Sequence, residues 1–257
     1  MEYLTWSHQD MVAEIAISRA PANALSSGLL KELSGVLDEI EETHEVRVVL
    51  IRGEGRFFSA GADIKEFTEV ESSGDFSKLG KFGQDLFERM ESFPKPIIAA
   101  IHGAALGGGL ELAMGCHFRL VSETAKLGLP ELQLGLVPGF AGTQRLPRLV
   151  GSARAAEMLF TSDPITGIQA VQYGLANHAF PEEELLENAF NMAKKIARKS
   201  PIALKAAIEL LNYSKHAEFY KGVEKEAELF GEVFASEDGQ EGISAFIEKR
   251  EPAFKGK

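Results

Sequence analysis

Cysteine is nearly absent from this chain of 257 residues, which contains only Cys116. A single thiol cannot form an intramolecular disulfide, and it cannot build a zinc site from several thiolates. Basic residues are in the minority: 27 lysines and arginines stand against 38 aspartates and glutamates, so the formal net charge is −11. This charge opposes non-specific binding to nucleic acid or to an anionic membrane, and an anionic ligand therefore requires a local basic patch. The counts favour a reducing, cytoplasmic setting.

Long apolar runs are absent as well. The segment Met1–Gln9 lacks the basic start and apolar stretch of a secretory signal, so export is not expected. The longest candidate for a membrane span, Pro96–Cys116, is interrupted by five glycines, and its apolar run Ile97–Ile101 is short. A buried strand followed by a glycine-rich turn fits this segment better than a membrane helix.

Several catalytic and nucleotide-binding motifs are missing. The glycine run Gly107–Glu111 has no following lysine, which excludes a P-loop, and Gly53–Gly55 lacks the third glycine of a dinucleotide fingerprint. No nucleophile elbow and no His-Glu-x-x-His motif occur, and the six histidines show no ligand spacing, so no metal site is expected. Cys116 and His117 are adjacent and would point to opposite faces of a strand, which disfavours a thiol nucleophile.

Short apolar runs alternate with helical patterns over the first 150 residues. Strands are predicted at Met11–Ser18, Val46–Arg52, Ile97–Ile101 and Phe118–Val121. Between them, apolar residues recur at three- and four-residue spacing from Leu29 to Ile40 and from Leu79 to Met90. This order predicts an α/β fold of right-handed βαβ units with a mainly parallel sheet.

Helical patterns dominate after about residue 150. They are predicted at Ala153–Phe160, Glu183–Arg198, Ile202–Tyr213 and Glu218–Phe234. Ser200 and Pro201 are typical of a helix cap and first turn. A soft boundary is expected near residues 190–200, and it separates subdomains at most, because no Pro/Gly/Ser-rich linker lies there.

Two strand-to-turn junctions are crowded with small residues, one over Gly53–Asp63 and one over Gly103–Glu111. Backbone donors from the two turns could polarise a carbonyl and hold an enolate oxygen. The alternative is that these glycines only allow close packing of a helix on the sheet.

Two glutamates lie in apolar surroundings, Glu111 within an apolar helix and Glu131 after Pro130. Burial raises the pKa of a carboxyl toward neutrality, as general acid/base work requires. The alternative is that one of them caps a helix or pairs with Arg145 or Arg148.

At these residues the sequence resembles the crotonase superfamily of enoyl-CoA hydratases and isomerases. The similar segments are Ser59–Glu66 for the CoA and oxyanion loop, Gly107–Leu112 for the second oxyanion turn, and Pro130–Gly139 with Gly142–Leu146 for the second glutamate. The resemblance spans nearly the whole chain, from Arg19–Leu25 to Glu241–Arg250. Two departures are Phe140-Ala141-Gly142, where a double glycine is commoner, and His117, where Asp is common.

The resemblance implies a crotonase-like (ClpP/crotonase) spiral of ββα units over residues 1–195 and a helical trimerisation region over 196–257. It also implies a homotrimer or homohexamer. By position, the backbone N–H groups of Ala62 and Gly108 would form the oxyanion hole, Glu131 would exchange the proton at C2, and Glu111 would orient and activate the water that attacks C3. Neither a metal nor a redox cofactor is implied, because CoA is part of the substrate.

The CoA contacts that the resemblance implies come from three parts of the chain. They are Ala60, Asp63 and Ile64 at the adenine end, Ala24 and Leu25 along the pantetheine path, and Phe246 with Lys249 from the C-terminal helices. Lys65 and Lys249 are the first candidates for the basic patch that CoA phosphates need.

The resulting hypothesis is an enoyl-CoA hydratase, a lyase of β-oxidation and fatty acid metabolism, that converts a 2-trans-enoyl-CoA to the 3-hydroxyacyl-CoA. The alternative within the superfamily is an enoyl-CoA isomerase or a branched enoyl-CoA hydratase, such as a methylglutaconyl-CoA hydratase. Superfamily isomerases commonly need only the carboxylate at position 131, so the presence of both glutamates favours hydration.

A non-catalytic acyl-CoA binder or an RNA-binding protein is the hypothesis from another class. The net charge of −11 opposes RNA binding, and nucleic acid and membrane partners are not expected.

Overall fold

The computed structural model describes the backbone of residues 1–68 and 73–257 and the side chains outside residues 67–79. The strands are β1 Leu4–Gln9, β2 Val12–Ile17, β3 Val48–Gly53, β4 Ile97–Ile101, β5 Ala104–Leu106, β6 Phe118–Ser122, β7 Lys126–Gly128, β8 Ile165–Thr166 and β9 His178–Phe180. The helices are α1 Ser27–Glu42, α2 Ile64–Thr68, α3 Ser73–Glu91, α4 Gly108–Gly115, α5 Gly142–Val150, α6 Ser152–Thr161, α7 Gly167–Tyr173, α8 Glu182–Ala197, α9 Pro201–Tyr213, α10 Phe219–Ala235 and α11 Glu237–Glu248. A 3₁₀ turn occupies Glu131–Leu134.

A six-stranded sheet in the order β1-β2-β3-β4-β6-β9 forms the centre of the fold. Its strands pair in parallel except for β1 and β2, which form an antiparallel hairpin. The predicted α/β class with a mainly parallel sheet is therefore confirmed. The four predicted strands are β2, β3, β4 and β6, with ends that differ by at most two residues.

Both faces of the sheet are covered, as parallel sheets require. Val49 and Ile51 belong to the core beneath α1, α3 and α4, whereas their neighbours Val48 and Leu50 pack with α8 on the other face. This division follows from the alternation of side chains along a strand.

A second, three-stranded sheet in the order β5-β7-β8 continues from the carboxyl end of β4. These strands have two or three residues each, and sequence patterning missed them. The sheet matters because Gly107 donates its N–H to the Gly128 carbonyl (2.9 Å), which anchors the turn that begins α4.

Helices α9, α10 and α11 lie toward the amino ends of the parallel strands. Arg47, just before β3, donates to the carbonyls of Ala197 (3.3 Å) and Phe254 (2.7 Å) and so ties this region to the sheet. The Ser200 side chain accepts from Ala203 N–H with Pro201 in the first turn, which confirms the predicted cap. The division at residues 195/196 stays a prediction.

The predicted late helices correspond to α6, α8, α9 and α10. Helices α5, α7 and α11 and strands β1 and β9 were not predicted. Helical patterning from Leu79 to Met90 falls on α3, and the side chain of Leu79 lies outside the described residues. Within the described part of the chain, no helix combines the length and apolarity that a membrane crossing needs.

Candidate active site

Two backbone segments are joined so that two amide groups become neighbours. Ser59 forms a parallel bridge with Ala105 of β5, and Ser59 N–H donates to the Ala104 carbonyl at 3.1 Å. Ala62 and Gly108 each lie three residues beyond a bridged residue. An ideal β-carbon at Gly108 would lie only 3.2 Å from the Ala62 nitrogen, so the two turns meet at these amides.

The Ala62 amide is directed away from its own bridge. Ala62 pairs with Leu25, but the two hydrogen bonds of that bridge use the flanking residues: Leu25 N–H donates to Gly61 (2.8 Å) and Asp63 N–H to Leu25 (3.0 Å). Gly108 is the first residue of α4, where amides have no acceptor within the helix. Among the described residues, neither Ala62 N–H nor Gly108 N–H has a protein acceptor. Two neighbouring amides without acceptors can donate to one oxygen atom, which is what an oxyanion hole requires.

Glu111 lies in the first turn of α4, and its side chain is buried with only 1% of its surface exposed. Its Oε1 atom accepts from the backbone N–H groups of Phe140 (2.8 Å) and Gly142 (2.7 Å). An ideal β-carbon at Gly142 would lie 2.8 Å from this Oε1, so any side chain there would displace the carboxyl. Two amide donors and a close backbone therefore fix one carboxyl oxygen and leave Oε2 for other partners.

Glu131 begins the 3₁₀ turn that follows β7. Its Oε1 lies against Gly107, since an ideal β-carbon there would be 2.9 Å from that oxygen. Gly107 has φ +51° and ψ −127°, a conformation that suits glycine alone. The Oε2 atom of Glu131 is buried and has no partner among the described residues. Both glutamates thus lie beside the Gly107–Gly108 turn, and their role as an acid/base pair stays a prediction.

Both carboxyl groups have a raised pKa. Burial raises the pKa of Glu111 to about 7; the nearby Glu131 adds to this rise, and the two amide donors oppose it. Burial likewise raises the pKa of Glu131. With a pKa of about 7, Glu111 is present in both its protonated and its ionised form near neutral pH, as general acid/base work requires.

The alternative that a glutamate pairs with Arg145 or Arg148 is not what the structure shows. Arg145 forms an ion pair with Glu91, which also binds Lys215 at 2.9 Å. Arg145 reaches the site only through the Phe140 carbonyl, to which it donates at 2.7 Å. Because Phe140 N–H donates to Glu111, Arg145 supports the loop that holds that carboxyl.

The predicted CoA-binding residues of the first loop lie around Ala62. Ala60, Ile64 and Lys65 are exposed, with Ile64 at 53%, whereas Leu25 is buried and contributes backbone. Asp63 pairs with Arg19 at 2.5 Å, and Arg19 also donates to the Ala24 carbonyl at 3.1 Å. Asp63 is thus engaged as a structural ion pair.

Phe246 and Lys249 belong to a separate region. Phe246 is 85% exposed on α11 beside Ser200 and Phe254, and Lys249 caps the same helix in a left-handed conformation. Arg47 ties this region to the amino ends of the strands, whereas the glutamates lie beyond their carboxyl ends. No contact within the described chain joins either residue to the Ala62 loop, so their role in binding stays a prediction.

Cys116 follows α4, and burial raises the pKa of its thiol to about 12, which makes it inert as a nucleophile.

The backbone donors to Glu111 from Phe140 and Gly142 were not predicted from the sequence as functional groups. The only sequence signal for them is their small-residue loop, 29 to 31 residues beyond Glu111.

Comparisons with known proteins agree with this geometry. The pattern that describes the enoyl-CoA hydratase/isomerase family matches residues 7–257. A Bacillus subtilis protein named probable enoyl-CoA hydratase is 57% identical, with 100% of both chains covered. A Clostridium acetobutylicum protein named short-chain-enoyl-CoA hydratase is 42% identical over 93% of this chain and 92% of its own.

The fold is also shared with solved structures. An enoyl-CoA hydratase from Bacillus anthracis superposes with a TM-score of 0.95 and 38% identity, covering 99% of this chain and 100% of the other. The crotonase-like fold that the resemblance implied is therefore confirmed. The chain belongs to the enoyl-CoA hydratase/isomerase family.

Proposed function

We propose that this protein is an enoyl-CoA hydratase that adds water across the 2,3 double bond of a 2-trans-enoyl-CoA to give the 3-hydroxyacyl-CoA. One observation carries the proposal: the buried Glu111 and the half-buried Glu131 lie on either side of the Gly107–Gly108 turn. The Gly108 amide in that turn and the Ala62 amide beside it have no protein acceptor among the described residues. Amides at this position can bind the thioester oxygen, and the carboxyls can move protons at the neighbouring carbons.

In the proposed mechanism, Glu111 acts as the carboxylate and Glu131 as the acid. Glu111 takes a proton from water, whose oxygen bonds to C3, and the double-bond electrons move toward the thioester oxygen. Ala62 and Gly108 N–H groups stabilise the enolate that forms. Glu131 then gives its proton to C2, and proton return from Glu111 to Glu131 restores the pair.

The hydrogen bonds support this division of roles. Burial raises the pKa of Glu111 to about 7, but its two amide donors oppose that rise and favour the ionised form, which is therefore available near neutral pH. Oε2 of Glu131 is buried without a donor among the described residues, so a proton on this oxygen is favoured. The chemistry uses carboxylates and backbone amides, so the proposal needs no metal or redox cofactor, and CoA enters as part of the substrate.

The substrate in this proposal has a short acyl chain. The Phe140 ring, 6% exposed, packs edge-on against Phe87 at 5.4 Å between ring centres. An ideal β-carbon at Gly83 would lie 2.4 Å from this ring, and one at Gly108 would lie 3.0 Å from it. The ring therefore fills the space between α3 and α4 beside the oxyanion amides. The name of the Clostridium relative agrees with a short chain.

The residues proposed to contact the CoA moiety beside Ala62 are Ala60, Asp63, Ile64 and Lys65. Ala24 and Leu25 are proposed to support the pantetheine path through their backbone. Phe246 and Lys249 are proposed to contact CoA from a neighbouring copy of the chain in a trimer or a dimer of trimers. Exposed aromatics on α10 and α11 support such assembly. The proposal includes a cytoplasmic location and a role in β-oxidation, and the buried free thiol of Cys116 agrees with a reducing compartment.

The test is loss of the enoyl absorbance of crotonyl-CoA. Glu131→Gln keeps the size of the side chain but cannot give a proton, so we expect kcat to fall by about 10²- to 10⁴-fold. Glu187→Gln, an exposed change on α8, is the matched control and should retain full activity. Normal hydration by Glu131→Gln would refute the mechanism.

Product analysis decides between hydration and isomerisation. The same enzyme is offered crotonyl-CoA and a 3-enoyl-CoA, and the products are separated by chromatography. A 3-hydroxyacyl-CoA product supports the proposal. A double-bond shift from position 3 to position 2 with no hydration would overturn it.

A further inference from the structure

A cavity of about 350 Å³ lies outside the acid/base site, between the end of α4, helix α5 and the end of α9. The charged and imidazole side chains of its lining are Glu91, His117, Arg119, Arg145, Arg148 and Lys215. The lining carries four cations and one carboxylate, in a chain whose net charge is −11. Such a local excess of positive charge is what an anionic ligand requires.

The single carboxylate is already engaged. Glu91 binds both Arg145 and Lys215, which leaves one positive charge in excess within that triad. Arg119 is buried and donates only to neutral carbonyls, those of Leu175 (2.6 Å), Ala113 (3.1 Å) and Cys116 (3.0 Å). Its charge therefore has no counter-ion among the described residues. Arg148 adds an exposed guanidinium at the rim.

His117 contributes a buried donor to the lining. Its Nδ1 accepts from Ile97 N–H at 2.9 Å, so this nitrogen carries no proton. Burial also lowers the pKa of His117 to about 4, which keeps the ring neutral. The proton of the neutral ring is therefore on Nε2. This Nε2–H is buried and has no acceptor among the described residues, and a buried donor left unpaired is unfavourable unless a ligand accepts from it.

Asn212 provides a second buried polar group without a partner. Its Oδ1 is buried and unpaired among the described residues. A 180° turn of the amide exchanges this oxygen for an NH₂ group, so the same side chain can donate into the cavity. Two unpaired groups thus line a cavity whose other polar groups are mostly donors.

We infer that this cavity is a binding site for a small tetrahedral oxyanion, either inorganic phosphate or the terminal phosphate of a small metabolite. Such an ion accepts from the His117 Nε2–H and from the surrounding guanidinium and ammonium groups, and it offsets the charge excess. Arg145 also supports the Phe140 carbonyl, so the occupied cavity borders the loop that holds Glu111.

The test is titration calorimetry of the full-length protein with inorganic phosphate, in phosphate-free buffer at ionic strength held constant with sodium chloride. We expect one site per chain. Arg148→Gln removes a rim donor from an exposed position and should weaken phosphate binding at least tenfold. His117→Asp replaces the buried donor with an anion and should abolish binding. A parallel titration with glycerol 3-phosphate shows which source of the phosphate group binds more tightly.

Arg198→Gln is the matched control, because it removes the same charge from an exposed residue at the end of α8, outside the cavity. It should bind phosphate as the parent chain does. Crotonyl-CoA hydration without phosphate checks that each variant is folded and keeps this test separate from the proposed function. Three results would overturn the inference. The first is no heat of phosphate binding beyond that of sodium chloride, and the second is equal weakening of phosphate binding by Arg198→Gln and Arg148→Gln. The third is phosphate binding that survives in both Arg148→Gln and His117→Asp and competes with crotonyl-CoA, which would place the ion in the acyl-CoA site.

Discussion

At the scale of single residues, the two glutamates show how surroundings assign roles to identical side chains. Glu111 is held by two backbone donors, and Glu131 has a buried oxygen without a donor among the described residues. Their selection from the sequence depended on apolar neighbours, which predicted burial correctly for Glu111. The donors could not be predicted, because Phe140 and Gly142 reach Glu111 only through the packing of α4 against α5.

The raised pKa of Glu111 makes protein stability depend on pH. This carboxyl titrates at about 7 in the folded chain against 4.5 ordinarily, so its contribution is fully present below pH 4.5 and is lost as pH rises through 7. Glu111→Gln keeps an oxygen acceptor for the two amides but cannot ionise, so the variant does not lose unfolding free energy at this site as the pH rises. We expect the variant to gain up to about 3 kcal/mol of unfolding free energy over the parent chain between pH 4.5 and 8, at about 1.4 kcal/mol per unit of pKa shift.

Urea unfolding at fixed protein concentration across this pH range measures the difference. Glu187→Gln should follow the parent chain at every pH. A constant difference between Glu111→Gln and the parent would show that Glu111 titrates normally. Hydration by Glu111→Gln should be slow even where the variant is more stable, because the general base is gone.

Phe140 is the residue whose size should set the acyl chain length. Phe140→Leu shortens the side chain between α3 and α4 while it remains apolar, so the stability cost is smaller than for alanine. We expect the ratio of kcat/KM for decenoyl-CoA to kcat/KM for crotonyl-CoA to rise at least about fivefold, since one methylene of pocket space contributes about 1–3 kcal/mol. An unchanged ratio would show that the acyl chain passes elsewhere.

At the scale of elements, the site depends on where α4 begins. The bridge between Ser59 and Ala105 sets two turns side by side. Ala62 follows Ser59 by three residues and Gly108 follows Ala105 by three residues, so these two residues also lie together. Strands β2, β3, β4 and β6 were predictable because each coincides with a largely apolar run of five or six residues. The two- and three-residue strands of the second sheet carry too few residues for periodicity, and they are held by the turns around them.

Gly108→Ala tests the start of α4. The new β-carbon would lie 3.2 Å from Ala62 nitrogen and 3.0 Å from the Phe140 ring, in the space beside the two amides. We expect kcat for crotonyl-CoA to fall by about 10²-fold, the effect of impairing one oxyanion donor. Gly139→Ala, in the same region with open space around it, is the control and should retain activity. Equal loss in both variants would point to general disturbance of the loop.

At the scale of the whole molecule, one chain leaves a large apolar surface uncovered. Phe219, Val223, Phe230 and Phe234 lie within about 60° on one face of α10, at 100° per residue. Their exposed fractions are 77%, 48%, 71% and 52%. Exposed apolar patches of this kind mark interaction sites, and Phe246 on α11 is 85% exposed as well. We therefore expect this face to be covered by a neighbouring copy in the proposed assembly.

The prediction is that Phe230→Glu disrupts this assembly. A buried, unpaired carboxylate at the interface is unfavourable, so light scattering should report about 28 kDa per particle in place of about 84 kDa for three chains of 28.0 kDa. Glu232→Gln, an exposed change on the same helix, should leave the mass unchanged.

The kinetics of the dissociated chain distinguish two sources of substrate contacts. Glu111, Glu131, Ala62 and Gly108 come from one chain, whereas Phe246 and Lys249 are proposed to reach a neighbour's CoA. Dissociation should therefore raise KM for crotonyl-CoA more than it lowers kcat, because CoA contacts are lost while the reacting groups remain. A parent chain that is already monomeric, or a dissociated variant with unchanged KM, would contradict the proposal that C-terminal helices complete the binding site of a second subunit.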